Sequence, residues 1–215
     1  HDVVFRSPEV HRIILNVGGI ANVTNLNPGS ITKGFDTGPG NMLLDAWVQR
    51  HTDRVFDEDG KWAASGHVIP RLLDALLAHP FLDLAPPKSC GREQFNIDWL
   101  ESNLVGGEPA EDVQATLLEL SARSIASAIE HWCGEPQELA VCGGGAHNEM
   151  LLRCLSALLP RTRIQTSDIL GIGADWVEAL AFAWLARQTL HGLHGNLPSV
   201  TGARGARILG ATYPR

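Results

Sequence analysis

The sequence predicts an α/β domain, a mixed sheet of about five strands flanked by helices. Three observations predict it. Three strand-like runs open the chain so closely spaced that they must pair antiparallel, because a parallel crossover needs a dozen or more residues. Helical and strand-like runs then alternate, which calls for a sheet with helices on its faces. Finally, 44% of the 215 residues are apolar and 19% charged, enough to bury a sizeable core.

The elements follow in order. Arg12–Val17 reads as a buried strand, and Ile20–Leu26 as a second after the Gly18-Gly19 interruption. Asn27, Pro28 and Gly29 make a turn. Residues 30–35 read as a third strand that ends at Asp36. Turn formers fill 37–41, with Asn41 as the N-cap of a helix from Met42 to about His51. Leu72, Leu73, Leu76 and Leu77 have helical spacing behind Pro70. Residues 79–99, with three prolines and Gly91, read mostly as loop. A long helix follows from about Val113 to Trp132, with Glu111 and Asp112 at its positive end. Glu138–Cys142 is a strand, residues 143–145 a tight glycine loop, and residues 146–159 a helix. Arg163–Thr166 is a short strand. Residues 174–190 form a helix apolar nearly all round, which predicts burial.

Bulk properties exclude several functions. The formal net charge is −7 with no block of Lys or Arg, which argues against nucleic acid and against anionic membranes. No apolar run is long enough to span a bilayer, and no signal peptide is visible. Cys90, Cys133, Cys142 and Cys154 lack metal or disulfide spacing and read as buried thiols of a reducing, cytoplasmic compartment. His191 and His194 read as surface histidines.

Five motifs carry chemistry. In residues 16–22 (NVGGIAN), Gly18 and Gly19 suit either a plain hairpin turn or a backbone cradle for nucleotide phosphates. Residues 34–41 (GFDTGPGN) put Asp36 at the carboxyl end of a strand, where α/β folds bind ligands. It is placed as a general base or a metal-facing ligand, or else it caps the turn. Gly143, Gly144 and Gly145 pass from strand to helix, as a tight turn or as a ligand loop at the helix N-terminus. Glu178 is the only charge from Val177 to Ala186, and an unpaired buried carboxylate is costly. It needs a structural partner, solvent or a polar ligand cavity. Lys88 and Arg92 share a loop that could meet an anion or stay solvated.

Together these stretches resemble the anhydro-N-acetylmuramic acid kinase family of the actin/hexokinase-like superfamily. The matching segments are residues 15–24 (LNVGGIANVT), 34–41, 43–47 (LLDAW), 86–89 (PPKS) with 91–93 (GRE), 112–116 (DVQAT), 142–148 (CGGGAHN) and 195–203 (GNLPSVTGA). Cys90 departs from the Thr expected there. The resemblance implies an actin/hexokinase-like (ribonuclease H-like) fold. Residues 1–215 would form the C-terminal lobe of a two-lobed sugar kinase, with an insertion at about 53–110. The N-terminal phosphate-loop lobe would precede His1, leaving this fragment inactive alone.

The implied reaction opens 1,6-anhydro-N-acetylmuramic acid with water and phosphorylates O6. It yields N-acetylmuramic acid 6-phosphate and ADP, in peptidoglycan recycling. Asp36 would be the base. Gly18, Gly19 and Asn22 would face the phosphates, and Gly143, Gly144, Gly145 and Asn148 the nucleoside. Glu178 and Asn41 would meet the sugar, and Arg92 and Lys88 its lactyl carboxylate. Mg²⁺ would come with ATP, held mainly by phosphate oxygens and water. The partners implied are the sugar, the N-terminal lobe and a second copy in a homodimer. Another small-molecule kinase of the superfamily and a non-catalytic nucleotide-binding module are the alternatives.

Overall fold

A computed structural model describes residues 1–213. Five strands, β1 (Arg12–Val17), β2 (Ile20–Leu26), β3 (Lys33–Pro39), β4 (Glu138–Cys142) and β5 (Arg163–Thr166), form one sheet in the order β3-β2-β1-β4-β5. The first three pair antiparallel, and β1-β4 and β4-β5 pair parallel. The mixed five-stranded sheet predicted above is therefore present, with the antiparallel triplet preceding two parallel crossovers. β1 and β4 lie inside the sheet, covered on both faces. Accordingly Ile13, Ile14, Leu15 and Val17 are buried, as is every residue of β4.

The helices are α1 (Asp2–Phe5), α2 (Met42–His51), α3 (Pro70–Leu77), α4 (Ile97–Asn103), α5 (Ala110–Trp132), α6 (Glu149–Leu158), α7 (Val177–Leu190) and α8 (Pro198–Thr201). In α5, Val113, Leu117, Leu120, Ile125 and Ile129 recur three to five residues apart, and all are buried in the central core. Glu111 and Asp112 occupy its first turn as expected. Between α2 and α5 the chain makes α3, α4 and short 3₁₀ turns. Phe81, Phe95, Trp99 and His79 stack there, with three of the ring pairs edge to face at 5.3–5.9 Å. The residue pattern alone does not predict α4. Its start is set by Asn96, whose side chain accepts a hydrogen bond from Trp99 N at 2.9 Å.

Three expectations need correction. The third strand does not run over 30–35 and stop at Asp36. It begins at Lys33 and continues through Pro39, because Gly38 and Pro39 pair with Ala21 and Ile20 across a bulge at Ala21/Asn22. Thr37 Oγ1 also donates to Ala21 O at 3.1 Å. Asp36 thus sits within an edge strand, at the bulge. Asn41 stands at the N-cap position of α2 without capping by its side chain, since its own backbone is already helical.

Contrary to the third expectation, α7 is apolar but not buried. Val177 is its one fully buried residue, while Phe182 is 67% exposed and Leu190 74%. Trp176, just before it, is 70% exposed. Apolarity reports that a surface needs cover. Among the described residues nothing covers the outer face of this helix.

Candidate active site

β3, β1 and β4 run in the same direction, so Pro39, Val17 and Cys142 end at one edge of the sheet. Three glycine-bearing turns meet there, at the carboxyl ends where open α/β sheets take ligands. They are tied together. Gly40 N donates to Gly19 O at 2.9 Å and Asn41 N to Gly18 O at 2.8 Å. Gly143, with φ +77°, packs on Asn16 and Val17.

The glycines divide into two kinds. A Cβ on Gly40 would lie 2.4 Å from Gly18 O, and one on Gly145 would lie 2.3 Å from Val17 Cγ1. Such positions are glycine because the turns pack together. Gly18, Gly19 and Gly144 are different. Their nearest neighbours would be 3.8, 3.6 and 3.7 Å away, ordinary contact distances. The chain's own packing would accept a side chain at all three. A bare backbone that folding does not demand suits close approach by a second molecule.

Gly144 borders a cavity of about 430 Å³ together with Asn41, Asn148, Leu44, Val55 and Phe56. Asn148 caps α6, its Oδ1 accepting from Leu151 N at 3.0 Å, and among the described residues its amide nitrogen has no hydrogen-bond partner. The helix expected from 146 therefore starts at Glu149, after a 3₁₀ turn over Gly144–His147. Asn41 spans both glycine loops. Its Nδ2 points to Val17 O at 3.5 Å and would lie 3.7 Å from a Cβ placed on Gly144. The structure thus groups Asn41 with the glycine loops and Asn148.

Asp36 is partly exposed, and one of its oxygens is firmly held. Ser89 Oγ donates to Oδ2 at 2.7 Å and Cys90 N donates to the same oxygen at 2.9 Å. Asp36 N in turn donates to Lys88 O at 3.1 Å. The loop carrying residues 86–93 is therefore strapped along β3 and is not a free solvated loop. Among the described residues nothing donates to Oδ1. Asn22 is the register partner of both Asp36 and Asn16, and Asn16 that of Cys142. Directly opposed residues share a sheet face, so Asn16, Asn22 and Asp36 form one polar row. Sequence reasoning missed Asn16, whose signal was an amide within an otherwise apolar run.

Glu178 lies in the first turn of α7, exposed to solvent. It is near the end of β4. The Cys142 thiol is pushed up to about 12, chiefly by burial, with the N-terminal amine acting the other way and Glu178 adding to the rise. Arg92 is exposed on the strapped loop. Lys88 departs from expectation. It is 8% exposed, and its Nζ donates to Phe81 O at 3.1 Å and Leu82 O at 2.9 Å and sits over the Phe81 ring. Burial lowers its pKa, with Cys90, Asp83 and Asp36 acting against that. Its cation holds the loop in place. The structure thus places the Lys88 ammonium on backbone carbonyls and an aromatic ring, whereas Arg92 on the same loop is exposed.

A sequence model of the family described as anhydro-N-acetylmuramic acid kinase matches residues 1–215. The chain belongs to this family. It is 58% identical over its whole length to the anhydro-N-acetylmuramic acid kinase of Thiobacillus denitrificans, and 52% identical to that of Nitrosospira multiformis. It spans 58% of the length of each of these relatives. Among solved structures it is similar to the activator of the 2-hydroxyisocaproyl-CoA dehydratase from Clostridium difficile with bound ADPNP. That match has TM-score 0.49 and 18% identity, covering 87% of this chain and 66% of the other. A xylulose kinase from Rhodospirillum rubrum matches at TM-score 0.48 and 15% identity, covering 83% and 39%. No helix among the described residues is long and apolar enough to cross a membrane.

Proposed function

We propose that the protein containing this chain is an ATP-dependent kinase that opens 1,6-anhydro-N-acetylmuramic acid with water and phosphorylates O6, giving N-acetylmuramic acid 6-phosphate and ADP. The supporting observation is the state of Asp36. Its Oδ2 is fixed by two donors, its Oδ1 is unpartnered among the described residues, and it shares a polar row with Asn22 beside the glycine turns. A carboxylate held this way presents one oriented lone pair to a water molecule. The water loses its proton to Oδ1 as it attacks the anomeric carbon. The bridge opens, and the freed O6 takes the γ-phosphoryl group.

The nucleotide has a natural direction. Asp45, Asp57, Glu58 and Asp59 line the cavity beside Gly144. Four carboxylates would repel a triphosphate, so the nucleoside end lies there, and the phosphates run toward the bare amides of Gly18 and Gly19. Phe56 and Val55 offer apolar walls for a flat base. Among the described residues no group of three or more His, Cys, Asp or Glu side chains could hold a metal ion. Hard oxygen donors do occur at the phosphate end, in Asp36, Asn16 and Asn22, and they fit a hydrated Mg²⁺ bound mostly by the nucleotide. The ion would neutralise phosphate charge. The exposed face of α7 is the surface that the remaining length of the relatives would cover, with Glu178 and Arg92 left at the sugar side.

The complete protein is expected to release ADP in a coupled assay with 1,6-anhydro-N-acetylmuramic acid and not with N-acetylmuramic acid or common hexoses. Equal turnover on sugars without the bridge would instead favour a different kinase of the superfamily.

The two kinds of glycine give a separate test. Gly144→Ala is expected to leave the melting temperature unchanged while weakening ATP binding several-fold, about 1 kcal/mol. Gly145→Ala is expected to destabilise the fold by about 1–3 kcal/mol, because its Cβ has no room. Equal melting temperatures for both variants would refute the division.

A further inference from the structure

Asp45 lies in the first turn of α2 and lines the cavity beside Gly144. It is half-buried, and among the described residues no side chain or backbone group donates to its carboxylate. Among the described residues its neighbours in the cavity offer no compensating charge. Across the cavity Asp57 accepts from Trp62 N and Ala63 N, both at 2.8 Å, and so has a structural task. Glu58 adds another negative charge, and Asp59 is paired with Lys61 at 2.7 Å. His147 is turned to Asp175, at 2.9 Å. Burial alone raises the Asp45 pKa from 3.8 to about 6. A carboxylate of this kind is a standing penalty to the empty protein at neutral pH. A ligand carrying an N–H or O–H would relieve it.

We propose that Asp45 is a specificity-determining residue that accepts a hydrogen bond from a donor on the nucleoside, either the exocyclic amine of the base or a ribose hydroxyl. This rests on the nucleotide reading of the cavity given above. Asn41 and Asn148 can serve as donor or acceptor, and the Gly144 amide is a donor. Asp45 combines acceptor-only chemistry with the lack of any structural partner among the described residues. It selects for a nucleoside that presents hydrogen rather than a lone pair at that point.

The raised pKa gives the empty protein a readable signature. A carboxyl protonated more readily when folded stabilises fully below 3.8, and that contribution is lost as pH rises to about 6. Asp45→Asn removes the charge without changing the shape. In the unliganded protein it should therefore melt above wild type at pH 8, with the gap closing toward pH 4.

The test uses the complete protein and calorimetric affinities for ATP, inosine triphosphate, 2′-deoxy-ATP and 3′-deoxy-ATP. One of the analogues is expected to bind wild type about ten-fold or more weakly than ATP, as loss of a hydrogen bond to a charged group predicts. That penalty should vanish in Asp45→Ala and shrink in Asp45→Asn, and the analogue affected identifies the donor. Penalties equal in wild type and both variants would overturn the role of Asp45 and leave the nucleotide reading intact. So would a wild-type protein that binds all three analogues as tightly as ATP. Absence of ATP binding to wild type would overturn both.

Discussion

Asp36→Asn in the complete protein should lower kcat by about 10²–10⁴, the usual loss on removing a general base, while ATP affinity stays near wild type. The geometry makes this substitution harsher than its near-identical shape suggests. Ser89 Oγ and Cys90 N both donate to Oδ2. An amide can satisfy those two donors only by turning its carbonyl oxygen toward them. The –NH₂ then occupies the place of Oδ1, facing the water with hydrogens where a lone pair is needed. The site would gain a donor and lose its base in one step. Single-turnover kinetics and calorimetry on the same preparation separate chemistry from binding. Turnover within about ten-fold of wild type would remove Asp36 from the base role. A parallel loss of ATP affinity would recast it as a structural support for the glycine turns.

Much of the fold is legible in the sequence because it is written in local periodicity. The bounds of β1, β2, β4, β5 and α2 follow from apolar runs punctuated by Gly, Pro and Asn. β3 is harder, because its last residues, Thr37, Gly38 and Pro39, look like a turn in isolation. They are held in the sheet by pairing with Ala21 and Ile20 and by the Thr37 hydroxyl, contacts made to another strand. The difference moves Asp36 from the end of a strand to a bulge inside one, yet leaves it partly exposed on the edge of the sheet.

The site is legible in its residue types and less so in its arrangement. Three glycine turns and one carboxylate stand out in the sequence. The division between packing glycines and bare ones does not, since it depends on neighbours such as Val17 and Asn16. Lys88 shows the same limit. A lysine in a loop reads as a free cation, but two carbonyls and the Phe81 ring hold it inside. Asp45 does not stand out in the sequence at all, because an acid in the first turn of a helix is common. Only the cavity opposite it, and the lack of any donor among the described residues, set it apart.

At the edge of the sheet opposite the site, a single buried acid ties three strands, and Glu138→Gln should be the most damaging change there. Arg12, Glu138 and Arg163 are register partners on β1, β4 and β5. Glu138 is 4% exposed. Arg12 reaches its Oε2 through Nε at 2.8 Å and a terminal nitrogen at 2.7 Å, and Arg163 pairs with Oε1. The Arg163 side chain is largely exposed, so its share is small. Arg12 is largely buried, and neutralising Glu138 would leave its charge uncompensated. Removing one partner of such a pair costs about 3–5 kcal/mol, read as a lower denaturation midpoint. The pH dependence has a definite sign. Burial pushes the Glu138 pKa up, but hydrogen bonds from Arg12 and Arg163 and their charges outweigh it, and the net shift is below the ordinary 4.5. Its contribution is therefore present above about 4.5 and is lost as pH falls through the lower folded value. Wild type and variant should differ most at neutral pH and converge in acid. A difference that persists unchanged at pH 2 would mean that the variant is destabilised by packing and not by the lost charge.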